Sequence, residues 1–387
     1  MKIVAIRSHV FRHPLTHELG YSQAYYSERT AHFVEVVTDE GLIGLGECFG
    51  AGTVALANRA IVERTLAPLL LGEDALARER LWHKVYNGLR DHGQKGLLLQ
   101  ALSGINIALW DIAGKAANLP LYRLLGGPCR QRIPVYGYGM MLRREAGLAN
   151  SFADEARELV GLGFRALKMK IGLGPKPDLA LATAVRQAIG DDIDLMVDAN
   201  RCYTAREALP LGRELERLGV AWFEEPVANE DRQGYRDLAQ ALDMPIAGGE
   251  GEFTRWGFRD LLEGRCVDLV QPEVCGLGGI SEYLKIVALA HAHFVPVVNH
   301  VWGSNLSVAV NLHLLAALPD LPGGIAPTPP MLEFDTTESR FRDAMLQRPL
   351  RILAQVRESG GSVGLPEGPG LGVELDWDYL RGYAVPA

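Results

Sequence analysis

The chain has 387 residues, 48% hydrophobic and 22% charged, with 47 acidic against 39 basic side chains. That composition describes a folded globular protein with room for about two to three domains. A net charge of −8 lacks the basic footprint that nucleic acid or an anionic membrane surface requires, which leaves small molecules as the expected partners.

The opening stretch "MKIVAIRSHVFRHP" reads as a strand interrupted by Arg7, His9 and Arg12, without the apolar core of a signal peptide. Residues 1–50 continue as a small antiparallel meander. In "AHFVEVVTDEGLIGLGECF" two strands meet at the turn "TDEG". "GLIGLG" falls inside this hairpin and does not follow a strand into a helix, so it is no dinucleotide fingerprint. The polar stretch "GYSQAYYSERT" puts Tyr25 and Tyr26 in a loop that either closes over a site or simply packs.

Residues 53–118 read as helices. The most apolar segment, "GLLLQALSGINIALWDIAGKAANL", carries Gln100, Asn106, Asp111 and Lys115, and so predicts a buried helix and not a membrane span. "LPLYRLLGGPC" closes the region with Gly-Gly-Pro. Strands first and helices next give an α+β domain over residues 1–125.

Beyond that point the pattern changes. "RIPVYGYG", "FRALKMKIG", "DIDLMVDAN", "VAWFEEP", "MPIAGGE", "CVDLVQPE" and "FVPVVNH" are short apolar runs separated by helix-like segments. At least seven β/α units predict an α/β fold with a parallel sheet closed into a TIM-type barrel over residues 126–354. The Gly/Pro-rich tail leaves the barrel. The five cysteines, Cys48, Cys129, Cys202, Cys266 and Cys275, are scattered and form no C-x-x-C pair. Neither a disulfide framework nor a zinc cage is expected, and a reducing cytoplasm is the default location.

The ends of the apolar runs carry the chemistry. Lys170, Asp198, Glu224, Glu250, Glu273 and His300 follow one another at gaps of 28, 26, 26, 23 and 27 residues, each about one β/α unit. In a barrel, the C-terminal strand ends form one ring and that face holds the active site. Lys168 and Lys170 share a strand face, so two ammonium groups point into one interior space, which is costly unless negative charge waits there. Asp198, Glu224 and Glu250 supply it. Three crowded carboxylates repel unless a cation binds, and an all-oxygen set suits Mg²⁺ first, with Mn²⁺ as the alternative.

The K-x-K pair, "VDAN", "FEEP", "GGE" and "NH" resemble, in order and spacing, the enolase superfamily in its mandelate racemase subgroup. "ALSGINIALWDIAGKAANLPLYRLLGG" is similar to the family's helix leading into the barrel. "YNGLRDHGQKG", "QPEVCGLGGISE", "HVWGS" and "MLEFDTTESRFRDAMLQRPL" resemble the D-galactarolactone cycloisomerase-like branch, which acts on sugar-diacid lactones. The resemblance implies a modified (β/α)7β barrel. It also implies an α+β capping domain completed by the tail, from about residue 355 to 387, and a homo-oligomer, dimer or octamer.

It implies a reaction as well: removal of a proton α to a carboxylate, with a divalent cation stabilising the enediolate. Lys168 would contact the substrate carboxylate. Lys170 would be one base, its pKa depressed by the neighbouring cation. His300, oriented by Glu273 where the subgroup usually has Asp, would act on the opposite face. Glu333 would donate to the enediolate if protonated. Of the adjacent Glu224 and Glu225, the family match selects Glu224 as the ligand. Asn200, Tyr25 and Trp302 are expected at the substrate. Ring opening of a sugar-acid lactone by β-elimination is the leading expectation. Acid-sugar dehydration, then racemisation or epimerisation of a 2-hydroxy acid, and a non-catalytic sugar-acid-binding homologue are the rivals.

Overall fold

The computed structural model describes residues 1–321 and 329–386. The strands β1 (Ile3–Tyr21), β2 (Ala24–Thr38) and β3 (Ile43–Glu47) form an antiparallel sheet in chain order. The expected turn at "TDEG" is present, with the Thr38 and Leu42 backbones hydrogen-bonded across it at 2.9 Å. The polar stretch expected as a loop is instead the tip of the β1–β2 hairpin. Only Ser22 and Gln23 turn, while Tyr25 and Tyr26 are strand residues paired with Gly20 and Leu19. Their aromatic rings suit a pleated strand, which outweighs the polar composition around them.

The helix Leu97–Ala117 packs on this sheet. It is long and apolar enough to cross a bilayer, but 83% of its most apolar window is buried inside the fold, as its interior Asn106 and Asp111 predict. The glycines of "GLIGLG" make the packing close. A Cβ on Gly44 would sit 2.0 Å from the Ala108 carbonyl oxygen, and one on Gly46 only 1.9 Å from that of Gly104. Those glycines serve helix-on-sheet contact and no nucleotide.

The barrel follows. Its staves are β4 (Arg132–Tyr138), β5 (Ala166–Lys170), β6 (Asp194–Asp198), β7 (Val220–Glu224), β8 (Ile246–Gly248) and β9 (Leu269–Val270). A seventh is held by a single parallel bridge, Val270 to Val297, and β10 (Leu332–Asp335) completes the set. Neighbouring staves pair in parallel, and β10 pairs back onto β4. The Val301 amide donates to the Glu333 carboxylate at 2.8 Å across the seam between the seventh stave and β10. All seven apolar runs read from the sequence lie where a stave lies.

Period-two alternation fills the barrel from below. Tyr136, Ala166, Met196, Trp222, Ala247, Leu269 and Val298 form one buried cluster, one residue from each of seven staves. This layer plugs the interior and carries the polar layer above it. The tail attaches to both the barrel and the capping domain. β11 (Ser362–Gly364) pairs antiparallel with β4, and the Leu371 amide donates to Asp111 at 2.8 Å on the capping helix. Residue 355, expected as the boundary, lies inside the helix Ile352–Ser359. Cys48, Cys129, Cys202, Cys266 and Cys275 are free thiols.

Candidate active site

Two residues beyond five of the seven members of the plug layer, the same parity places a polar side chain. Lys168 follows Ala166, Asp198 follows Met196, Glu224 follows Trp222, Gln271 follows Leu269 and His300 follows Val298. All five are buried. Glu250 breaks the parity: β8 ends at Gly248 and the chain turns at Gly249, with φ of +123°, before Glu250 points inward.

The two lysines find the charge their burial requires. Lys168 Nζ lies 2.6 Å from Glu224, 2.5 Å from Glu333 and 3.8 Å from Asp198. Lys170 Nζ donates to Asp198 at 2.5 Å. Burial alone would favour neutral amines, but these carboxylates raise both lysine pKa values. The expected depression of Lys170 by its neighbour is therefore reversed here, because Asp198, at hydrogen-bond distance, outweighs Lys168. Burial pushes the Asp198 carboxyl up, but Lys170 and Lys168 bring it down to about 2. Glu224 is pushed up to about 7, chiefly by burial.

Asp198, Glu224 and Glu250 each bring one oxygen within 4.8 Å of the others. Glu250 Oε2 and both oxygens of Glu225 are buried without a hydrogen-bond donor. Glu225 leaves the strand with φ of +39° and sits 3.0 Å from Arg201, whose Nη2 donates to Glu250 at 3.1 Å. Around the cluster, Asp198, Glu224, Glu225, Glu250, Glu273 and Glu333 face Lys168, Lys170, Arg201 and a protonated His300. Burial, and for Glu225 the neighbouring Glu250, push the Glu224 and Glu225 carboxyls up, as expected of acidic groups that outnumber the cations around them. An all-oxygen donor set with surplus negative charge and orphaned oxygens fits a hard divalent cation.

His300 closes the ring from the other end. Its Nδ1 is 2.8 Å from Glu273 and its Nε2 is 3.0 Å from Glu250. Burial opposes its charge, but Glu250 and the Glu273 hydrogen bond raise its pKa to about 10. Glu273 is held in turn by the Cys275 amide at 2.8 Å. Both oxygens of Glu333 are engaged, one by Lys168 and one by the Val301 amide. The geometry thus makes Glu333 an anchor for Lys168 and the His300 loop.

The roof comes from the capping sheet. Ser22 Oγ donates to the carbonyls of Ala199 and Asn200 at 2.8 and 3.1 Å, and Gln23 Nε2 to that of Asn200 at 2.8 Å. The hairpin tip is thereby fastened to the strand end that carries Asp198. Asn200 also donates its amide to Asp198 at 2.8 Å, while its side-chain oxygen is buried without a donor. Trp302 stands edge-on to Tyr26 and to Phe49, both at 6.0 Å, and Phe49 is 5.9 Å from the His300 ring. Tyr25 lies under Arg144 at 4.2 Å, so Tyr26, not Tyr25, is the tyrosine brought to Trp302.

Gln271, which donates to Glu224 at 2.6 Å, is the main site residue the sequence reading passes over. Its signal is parity: it is two residues after Leu269, in the same "QPE" from which Glu273 is taken. Arg201 carries no such signal, since its place depends on a left-handed turn, while Tyr26 is singled out in the sequence together with Tyr25 and is told apart from it only by contact with Trp302.

With this geometry, known proteins supply the frame. The mandelate racemase/muconate lactonizing enzyme N-terminal domain matches residues 5–126, and the enolase C-terminal domain-like family matches residues 151–379. The chain is 40% identical over 386 residues to the D-galactarolactone cycloisomerase of Agrobacterium fabrum, covering 100% of both. It is 36% identical to the arabinonate dehydratase of Saccharolobus solfataricus, covering 88% of this chain and 87% of that one. A racemase structure from Streptomyces coelicolor with bound magnesium superposes with a TM-score of 0.87 at 29% identity, covering 99% and 100% of the two chains. A fold, a carboxylate triad and full-length matches agree: this chain is an enzyme of the mandelate racemase/muconate lactonizing group of the enolase superfamily.

Proposed function

We propose that the enzyme opens a sugar-acid lactone by β-elimination, beginning with removal of the proton α to a carboxylate. The observation that carries the reading is the placement of two bases at the two ends of one carboxylate cluster, Lys170 against Asp198 and His300 against Glu250. Asp198, Glu224 and Glu250 would hold Mg²⁺, or Mn²⁺ in its place. The cation would supply a Lewis acid to the substrate carboxylate.

The chain's own groups do the rest. Lys170 would take the α-proton with its buried amine, which Asp198 would hold less firmly in the charged form with a cation bound. Lys168, held between Glu224 and Glu333, presents a fixed positive charge to the enediolate. His300 faces the reacting carbon from the far end, aligned by Glu273. The Ser22–Gln23 tip, Tyr26 and Trp302 close the site from water.

Cleavage of the β C–O bond then opens the ring with no water consumed, a net isomerisation. Full-length similarity to a D-galactarolactone cycloisomerase supports this course. Dehydration is the second reading, supported by similarity to an arabinonate dehydratase. There His300 would protonate a departing hydroxide. Incubation with a panel of sugar acids and their lactones in D₂O with Mg²⁺, read by NMR, decides. Ring-opened product from a lactone supports the first reading and product from an open acid the second. An absence of both product and α-deuterium in every compound would remove both.

A further inference from the structure

The roof of the site holds charge that proton abstraction does not use. Asp335 is two residues after Glu333 on β10 and also faces inward, about 6–7 Å nearer the barrel mouth. Arg29 of β2 donates to Asp335 and, at 3.2 Å, to Thr337 Oγ1. Arg342 approaches the same carboxylate at 3.6 Å and donates to the carbonyls of Asp335 and Thr337 at 2.7 and 2.9 Å. Two largely buried guanidiniums share one buried carboxylate. Asp343, 3.4 Å from Arg342, stands in solvent and is screened. His13, beside them, stays neutral because burial and the two arginines oppose its charge.

The cluster therefore keeps an excess positive charge in a protected place, which is costly without an anion. It also borders a space. A cavity of about 40 Å³ is lined by Arg29, Arg342, His13, Trp302 and Ser339 among others. One water needs roughly 10–15 Å³ by the same measure, so the space suits a group of carboxylate size. Two donors nearby, the Tyr26 hydroxyl and Arg29 Nε, are buried without an acceptor. An aromatic patch lies between this cluster and the reacting groups: Lys170 Nζ is 4.9 Å from the centre of Tyr138, and Tyr26 and Trp302 pack against the cluster of Leu19, Tyr138 and Met141.

We propose that this cavity is a leaving-group site, which receives the carboxylate released as the lactone opens. The inference rests on the elimination reading above. The β C–O bond breaks, its electron pair stays on the ring oxygen, and the acyl group becomes a carboxylate with no proton required. Arg29 and Tyr26 donate to the charge as it emerges. Departing hydroxide would instead require a proton, which a pair of arginines does not provide.

The test uses full-length Arg29→Met with Mg²⁺ and a sugar-diacid lactone in D₂O. Recovered lactone should gain α-deuterium, relative to ring opening, at least tenfold more than with the unaltered enzyme. That is the effect of losing one hydrogen bond to a charged group, about ten- to a hundredfold. An unchanged ratio would overturn the proposal and leave Arg29 as a strut between domains. Should Arg29→Met not fold, the unaltered enzyme decides by calorimetry. An open six-carbon diacid should bind at least tenfold tighter than the matching mono-acid, and equal affinities overturn the site. Failure of every lactone and acid either to exchange or to give product would sink the reaction assignment alone, while the calorimetric ratio still reads the cavity.

Discussion

His300 Nδ1 lies 2.8 Å from Glu273, and the same carboxylate accepts the Cys275 amide at 2.8 Å, so the imidazole is aligned by a group itself fixed to the backbone. This alignment sets the tautomer that leaves Nε2 facing the carboxylate cluster. Glu273 also raises the His300 pKa, so Glu273→Gln should move the His300 limb of the pH–rate profile to lower pH. Glu273→Asp, which keeps the charge at shorter reach, should retain more activity than Glu273→Gln. Identical profiles for all three proteins would mean that Glu273 does not govern His300.

The carboxylate cluster makes a second prediction. Chelation should abolish activity, and Mg²⁺ or Mn²⁺ should restore it. Added Mg²⁺ should also raise the melting temperature of the unaltered enzyme, since a ligand that binds only the folded state stabilises it. Glu250→Gln should lose that shift. A shift of equal size in Glu250→Gln would place the cation elsewhere.

The two bases should separate by isotope. Lys170→Ala and His300→Ala should each cost at least the roughly 10²–10⁴-fold typical of one acid–base group. If Lys170 alone takes the α-proton, His300→Ala should still exchange α-deuterium while product formation falls. Exchange that survives in Lys170→Ala and vanishes in His300→Ala would reverse the assignment.

How much of this the sequence shows depends on the kind of contact. Lys168, Asp198, Glu224 and His300 are legible because a parallel barrel converts a regular spacing into one ring, and strand parity fixes which side chains face inward. Gln271 obeys the same parity and is hidden only by the more conspicuous Glu273 beside it. Arg29 and Asp335 are 306 residues apart and meet because a capping hairpin folds over the last stave. No periodicity links them. Tyr25 and Tyr26 differ only in which side of one strand each occupies, which the register of β1 on β2 decides. The Lys170 charge state is likewise a tertiary property, since it turns on how far Asp198 outweighs Lys168.

The last prediction concerns acid stability. His313 is fully buried; its Nδ1 accepts the Tyr122 amide at 3.3 Å, and Nε2 lies 3.0 Å from the Leu371 carbonyl. That pairing requires the neutral ring with its proton on Nε2. Burial lowers the pKa from 6.5 to about 4. Between pH 4 and 6.5 the unfolded chain therefore binds a proton that the folded chain refuses. The stability from the neutral ring is fully present above pH 6.5 and is lost as pH falls toward 4. By pH 5 the loss is about 2 kcal/mol. His313→Asn, uncharged throughout, should be less stable than the unaltered protein at pH 7.5 because it leaves a cavity between barrel and tail. Its further loss between pH 7.5 and 5, read from denaturant titrations, should be smaller by about that 2 kcal/mol. An acid limb of the same size in both proteins would show that His313 is not the buried neutral group this geometry describes.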